Sequence, residues 1–118
     1  MIVMSDITDL MGAVVKFRDE RDWKQFHNPK DCAISLSLEA AEVMEHFQWK
    51  SKKEVAEYVK SHKAGIGDEL ADVLYWVLLM SNDLDIDIGD AFLKKLEANG
   101  KKYPVDKAKG KHTKYTEL

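Results

Sequence analysis

The sequence is poor in cysteine and proline, and it lacks any long apolar run. Its single cysteine, Cys32, excludes an intramolecular disulfide framework and a cysteine-based zinc site. No apolar stretch approaches the roughly 20 residues that a membrane-spanning helix needs. Residues 1–9 have neither the basic flank nor the apolar stretch of a signal peptide. We therefore expect a cytoplasmic location and no membrane partner.

The charge is unevenly distributed along the 118 residues. Residues 1–99 contain 12 basic and 19 acidic side chains, whereas residues 100–118 contain six lysines and two acids. An acidic body lacks the basic face that a general nucleic-acid-binding protein requires. With 45% hydrophobic residues, the chain is nevertheless apolar enough to fold as one domain.

Apolar residues recur at helical spacing along nearly the whole chain, which predicts an all-α fold. The first predicted helix covers residues 6–22, with Ser5 as its N-cap. The Asn28-Pro29 pair predicts a loop that leads into a second helix, over residues 30–47. The apolar positions of this second helix are spread too widely for one narrow stripe, which predicts burial on more than one side.

The remaining helices are predicted over residues 51–61, 67–84 and 88–98. Gly65 and Gly67 mark a joint between the first two of these, although one bent helix also fits the pattern. Asp87 is the predicted cap of the last helix, and Asn99-Gly100 is its predicted end. The helix from residue 67 is apolar almost all round in its second half, which indicates a central position or a subunit interface.

Two pairs of carboxylates occur at helical spacing inside apolar segments. Glu39 and Glu42 are three residues apart, as are Glu69 and Asp72, so each pair projects from one helix face. Acidic side chains are rarely buried unless they are paired or bind a metal. Hard oxygen ligands on two facing helices suit Mg²⁺ or Mn²⁺. Spacing alone leaves a metal site and ordinary surface charge equally open.

Other kinds of site are poorly supported. A ferritin-like di-iron site needs Glu-x-x-His on two helices, but His46 directly follows Glu45. The sequence contains no His-Glu-x-x-His zinc motif and no Gly-x-x-x-x-Gly-Lys phosphate loop. Cys32 is interpreted as a small buried core residue rather than a nucleophile.

The ordered set of motifs resembles the MazG-like nucleoside triphosphate pyrophosphohydrolases. The pattern Glu-x-x-Glu, 26 residues, Glu-x-x-Asp is similar to their metal-binding signature. Four local segments resemble the dCTP pyrophosphatase branch in particular: residues 17–27, residues 39–50, residues 68–74, and Lys95-x-x-x-Asn99 followed by Tyr103-Pro104. Many members begin the motif with two adjacent glutamates, whereas Leu38 precedes Glu39 here. That departure also favours the dCTP pyrophosphatase branch.

The resemblance implies a four- to five-helix MazG-like bundle that assembles as a homodimer or homotetramer. It implies Mg²⁺-dependent hydrolysis of a nucleoside triphosphate to monophosphate and pyrophosphate, with Mn²⁺ as a substitute ion. The implied domain covers residues 1–105, and residues 106–118 form a basic tail. The implied metal ligands and catalytic residues are the four acids Glu39, Glu42, Glu69 and Asp72.

The resemblance also implies a set of substrate-binding residues. Three tryptophans and a histidine are expected to enclose the base, and a lysine and an asparagine to hold phosphates: Trp23, His27, Trp49, Trp76, Lys95 and Asn99. Tyr75 is expected to point away from this site into the core. A general base is left open between the four acids and Glu45, which follows Glu42 by three residues.

The sequence leaves alternatives open for the substrate and for the class of function. The first expectation is removal of dCTP or modified deoxynucleotides from the nucleotide pool. A broader dNTP pyrophosphatase that accepts purines such as dATP fits the same residues. A non-enzymatic helical oligomerisation module, with metal bound only for structure, also fits the acidic faces.

Overall fold

The computed structural model describes residues 6–118, and these residues form helices without any strand. The predicted all-α fold is confirmed, since five helices follow one another along the described chain. They are α1 (Ile7–Glu20), α2 (Pro29–Glu45), α3 (Lys52–Asp83), α4 (Ile88–Lys102) and α5 (Val105–Ala108). Short 3₁₀ turns occur at Lys24–Phe26 and Tyr115–Glu117.

Side-chain caps fix where the longer helices begin. The carboxylate of Asp6 accepts a hydrogen bond from the backbone N–H of Asp9 at 2.8 Å, so Asp6 is the N-cap of α1. The predicted cap, Ser5, lies outside the described residues. Asn28 caps α2, with Pro29 as its first residue, and Asp87 caps α4. The predicted Asn28-Pro29 boundary and the predicted Asp87 cap are therefore confirmed.

The two predicted helices around Gly65 and Gly67 are one long helix, α3. Of the two alternatives, the bent continuous helix is correct, but the bend lies at His62, whose φ of −125° and ψ of 21° are non-helical. The imidazole of His62 stacks on the ring of Tyr58 at 3.8 Å between centroids. Its Nδ1 also lies 2.9 Å from the Tyr58 carbonyl oxygen. Side-chain contacts of His62, rather than the glycines, accompany the bend.

The first of two compact units ends at Asp85, and α3 is its central element. α3 packs against both α1 and α2. Leu78 and Leu79 of α3 and Cys32 of α2 are its buried apolar residues, which confirms the core interpretation of Cys32. Arg18 of α1 is also buried, and its Nη1 donates to Asp83 Oδ2 at 2.7 Å. This charged hydrogen bond ties α1 to the end of α3.

The second unit, Ile86–Leu118, contains α4 and α5. The predicted stop at Asn99-Gly100 is wrong, because α4 continues to Lys102. Tyr103 is the C-cap and Pro104 follows it, so the helix ends where proline prevents continuation. Nowhere in residues 6–118 does a helix have the length and apolar character to cross a membrane.

Candidate active site and metal centre

α2 and α3 bring the two predicted acidic pairs into one cluster. One carboxylate oxygen from each of the four acids lies within 4.8 Å of the others: Glu39, Glu42, Glu69 and Asp72. Helical spacing places each pair on one face, and the packing of α2 against α3 turns those faces toward each other. Two of the acids are half-buried and two are exposed, so the cluster lies at the edge of the helix pair.

The surroundings of the cluster raise the pKa of two of its members, Glu39 and Glu69. Burial, followed by the neighbouring carboxylate of Glu42, raises the pKa of Glu39. Hydrogen bonding with Glu42, followed by burial and then by repulsion from the other acids, raises the pKa of Glu69 to about 7. Among residues 6–118, the one basic side chain within 4 Å of these carboxylates is His46, whose Nε2 lies 3.9 Å from Glu69 Oε1. The cluster therefore concentrates negative charge with almost no cationic side chain to balance it.

The donor set fits a divalent cation. Glu39 Oε2 is buried and has no hydrogen-bond partner, which is costly for a carboxylate oxygen unless a cation or water meets it. Oxygen-only ligands favour Mg²⁺ or Mn²⁺ over softer metals. Four acids at this spacing can hold such an ion, which would replace the shared protons and neutralise their repulsion.

A pocket of about 290 Å³ adjoins the acidic cluster. Two of the cluster acids, Glu39 and Asp72, contribute to its wall. The remaining lining is aromatic and comes from α1, the loop after it, and α3: Phe17, Trp23, His27, Tyr75 and Trp76. Aromatic faces of this kind can stack on a planar ring such as a nucleobase.

The surroundings of His27 in this pocket disfavour its charged form. Burial, and then the Arg18 guanidinium, lower the pKa of His27. The imidazole meets the Trp76 ring edge to face at 5.3 Å between centroids. His27 Nδ1 is buried and has no hydrogen-bond partner. The pocket therefore combines aromatic rings with a few polar groups, namely His27 Nδ1 and the two carboxylates, which is the usual composition of a small-molecule site.

The other predicted substrate-binding residues are Trp49, Lys95 and Asn99. Trp49 follows α2 at a positive φ of 67°, and its side chain is 91% exposed, so it does not line this pocket. Lys95 and Asn99 occupy successive turns of α4, in the second unit. Their predicted role in binding phosphates, like that of Trp49 in enclosing the base, stays a prediction.

Three residues at the pocket or the acidic cluster are not among the predicted site residues. Tyr75 lines the aromatic pocket, contrary to the expectation that it points away from the site. Phe17 lines it as well, although the sequence marks it only as the first residue of the segment 17–27 that resembles the dCTP pyrophosphatase branch. His46 contacts Glu69 from α2, although the sequence had shown only that it cannot complete a Glu-x-x-His motif. No sequence signal separates such residues from ordinary core positions.

Comparisons with known proteins agree with this geometry. Residues 34–118 match the model of the MazG-like family. The chain is 33% identical to mouse (Mus musculus) dCTP pyrophosphatase 1 over 114 residues, which cover 95% of the chain and 67% of that protein. It is also 33% identical to the human (Homo sapiens) dCTP pyrophosphatase 1, with the same coverage. A solved pyrophosphatase from Archaeoglobus fulgidus superimposes with a TM-score of 0.79 at 36% identity, covering 88% of this chain and 99% of that one.

The all-α unit with a four-carboxylate cluster beside an aromatic pocket defines a nucleotide pyrophosphohydrolase. The chain belongs to the MazG-like family, in the branch that contains the dCTP pyrophosphatases. The resemblance found in the sequence is thereby confirmed, and the non-enzymatic alternative is not supported.

Proposed function

We propose that this protein is a Mg²⁺-dependent pyrophosphohydrolase that converts a deoxynucleoside triphosphate to its monophosphate and pyrophosphate. The proposed preferred substrate is dCTP or a modified deoxynucleotide, which the enzyme removes from the nucleotide pool. The observation that supports this proposal most directly is that Glu39 and Asp72 belong both to the four-acid cluster and to the wall of the aromatic pocket. A base in the pocket would thus have its phosphates next to the acids.

The chain's own residues divide the work between two neighbouring regions. The aromatic rings hold the base by stacking, with Trp23 and Trp76 on the pocket wall. The unpartnered Nδ1 of His27 gives a polar contact to one edge of the base. The apolar wall excludes water from the base, while the acids face the triphosphate.

The four carboxylates by themselves repel a triphosphate, so binding requires cations between them. A bound Mg²⁺ would supply charge neutralisation for the phosphate oxygens and would make the attacking water more acidic. The α–β phosphoanhydride bond breaks, water supplies the new oxygen on the monophosphate, and pyrophosphate leaves. Glu39, Glu42, Glu69 and Asp72 hold the cation. Mn²⁺ has the same ligand preferences and should substitute.

The enzyme is proposed to act as a homodimer or homotetramer. Large apolar side chains stand exposed on the two helices that carry the acids, including Leu38 of α2 at 62% and Leu70 of α3 at 53%. Leu38 directly precedes Glu39 and Leu70 directly follows Glu69, so a second copy that covers them would also lie close to the site. Sedimentation of the wild type should give a dimer or larger species. A stable and active monomer would contradict this proposal.

The direct test is a panel of canonical and modified NTPs and dNTPs incubated with the protein and Mg²⁺. Ion-exchange chromatography of the products should show monophosphate and pyrophosphate in equal amounts, with the highest kcat/KM for dCTP or a modified form. The Glu42→Gln variant should lose this activity, whereas Glu20→Gln, a change at an exposed acid of α1, should keep it.

Other outcomes of the panel separate the alternatives. Similar rates for dATP and dCTP would favour the broad dNTP pyrophosphatase. Release of diphosphate and orthophosphate would contradict cleavage at the α–β bond. No turnover by folded, metal-loaded protein would contradict the proposed reaction altogether.

A further inference from the structure

We infer that His46 is a positioning residue for the metal centre: Tyr58 orients its imidazole, which holds the carboxylate of Glu69 in place for the cation. This inference rests on the proposed metal-dependent function. Among residues 6–118, His46 is the only cationic or imidazole side chain that contacts the four acids, with Nε2 at 3.9 Å from Glu69 Oε1.

Tyr58 determines which edge of the imidazole faces the acid. The Tyr58 hydroxyl and His46 Nδ1 are within hydrogen-bonding distance. A hydroxyl can donate to the unprotonated Nδ1, and the ring proton then sits on Nε2, the atom that faces Glu69. The opposite tautomer would turn a lone pair toward a carboxylate, which is repulsive. The Tyr58 contact therefore favours the imidazole form whose Nε2–H faces Glu69.

The surroundings fix Tyr58 and leave room for His46. The His62 ring stacks on Tyr58 with an interplanar angle of 5°, and Lys50 Nζ lies 4.3 Å from the centre of the Tyr58 ring. On the other side of the imidazole, a Cβ added at Gly65 would lie 3.5 Å from His46 Cε1. Any side chain larger than alanine at position 65 would compete with the ring for space. Several contacts thus place one imidazole against one metal-ligand candidate.

His46, Tyr58 and Glu69 also line a pocket of about 200 Å³ with Glu42 and Glu45. A separation of 3.9 Å is longer than a hydrogen bond, and one water in this pocket can bridge it. Hydrogen-bonding partners of metal-ligating side chains fix ligand orientation, and their loss typically lowers metal affinity 10- to 100-fold. His46 is suited to that role for Glu69.

The test is a titration of metal-free protein with Mn²⁺, with free Mn²⁺ followed by its electron paramagnetic resonance signal. His46→Leu should raise the Kd about tenfold. His46→Gln should restore affinity to within about threefold, because its amide can place an N–H near the former Nε2. Tyr58→Phe should fall between the two. The matched control His112→Leu, at an exposed histidine of the second unit, should bind as the wild type does.

Thermal melts without metal separate positioning from folding, since a positioning role predicts unchanged metal-free melting for His46→Gln and Tyr58→Phe. Wild-type affinity in His46→Leu would overturn the inference, and so would equal losses in folded His46→Gln and His46→Leu. The Glu42→Gln variant distinguishes failure of the His46 proposal from failure of the proposed metal-dependent function. If wild type binds Mn²⁺ and Glu42→Gln does not, a silent His46 variant contradicts only the role of His46. If wild type itself binds no Mn²⁺, both proposals fail.

Discussion

Two acids on the same helix, Asp83 and Glu69 of α3, have opposite surroundings. Asp83 lies next to the buried guanidinium of Arg18, which donates to it and lowers the pKa of Asp83. Glu69 lies among three other carboxylates, and the pKa of Glu69 is raised to about 7. Arg18 supplies a positive charge for Asp83, the acid that holds α1 to α3. The four-acid cluster around Glu69 has almost no positive charge beside it. That difference distinguishes a structural ion pair from a site built to take a cation from solution.

The largest expected effect comes from removing one charge of the cluster. Glu42→Gln should lower kcat/KM for the best dNTP by about 1,000-fold, because a ligand of the required cation is lost. The folded state should be as stable as wild type without metal, or more so, because like-charge repulsion falls. Steady-state kinetics and metal-free thermal melts measure the two effects. A strongly destabilised metal-free Glu42→Gln, or Asp72→Asn, would mean that the acids serve folding instead.

In contrast, breaking the Arg18–Asp83 pair should destabilise the folded protein. Asp83→Asn should cost about 3 kcal/mol of stability, because it leaves the guanidinium, only 1% exposed, without its partner charge. Urea unfolding measures the loss. Glu20→Gln removes the exposed Lys16–Glu20 pair and should change the free energy of unfolding by less than about 0.5 kcal/mol. Equal effects of the two variants would contradict the structural role of Asp83.

A smaller effect is expected from the aromatic pocket. Trp76→Ala should raise the KM for dNTP about tenfold with little change in kcat, because base stacking contributes about 1–3 kcal/mol. Initial-rate kinetics measure both constants. Trp49→Ala sharpens the comparison, since this exposed tryptophan is outside the pocket of a single chain. An equal rise in KM would support the sequence-based prediction that Trp49 encloses the base, and an unchanged KM would contradict it.

The smallest predicted effect is on the pH dependence of stability in metal-free protein, to which Asp83 and Glu69 should contribute slopes of opposite sign. Folding lowers the pKa of Asp83 below its usual 3.8, so its contribution is present above about pH 4 and lost as the pH falls further. Folding raises the pKa of Glu69 from 4.5 to about 7, so stability should decline as the pH rises through that interval.

Urea unfolding in a chelator, from about pH 3 to about pH 8, measures these slopes. Asp83→Asn should flatten the acid limb, and Glu69→Gln should flatten the decline toward neutral pH. An unchanged decline in Glu69→Gln would show that Glu69 is not the group that titrates in this interval.

Periodicity and spacing predicted the helices and the two acidic pairs, because both depend on neighbours in sequence. The bend at His62 was placed at Gly65 and Gly67, since the Tyr58–His62 stack is not visible as a glycine or proline signal. The true end of α4 lies two residues beyond Gly100, where the backbone remains helical until Tyr103.

The sequence pattern does not predict which residues of different helices meet at the site. The approach of α2 to α3 closes the acidic cluster, and it also brings His46 against Glu69 beside the small Gly65. The pocket position of Tyr75 follows from the packing of α1 on α3, which the helical pattern of α3 does not contain.

The central claim is that the four acids bind the cation that cleavage requires. The most direct measurement is pyrophosphate release from dCTP by chelator-treated protein as Mg²⁺ is restored. The account predicts no release without Mg²⁺, a saturable rise as Mg²⁺ is added, equal amounts of dCMP and pyrophosphate, and no such rise in Glu42→Gln. Release that is independent of Mg²⁺, or that persists in Glu42→Gln, would contradict it.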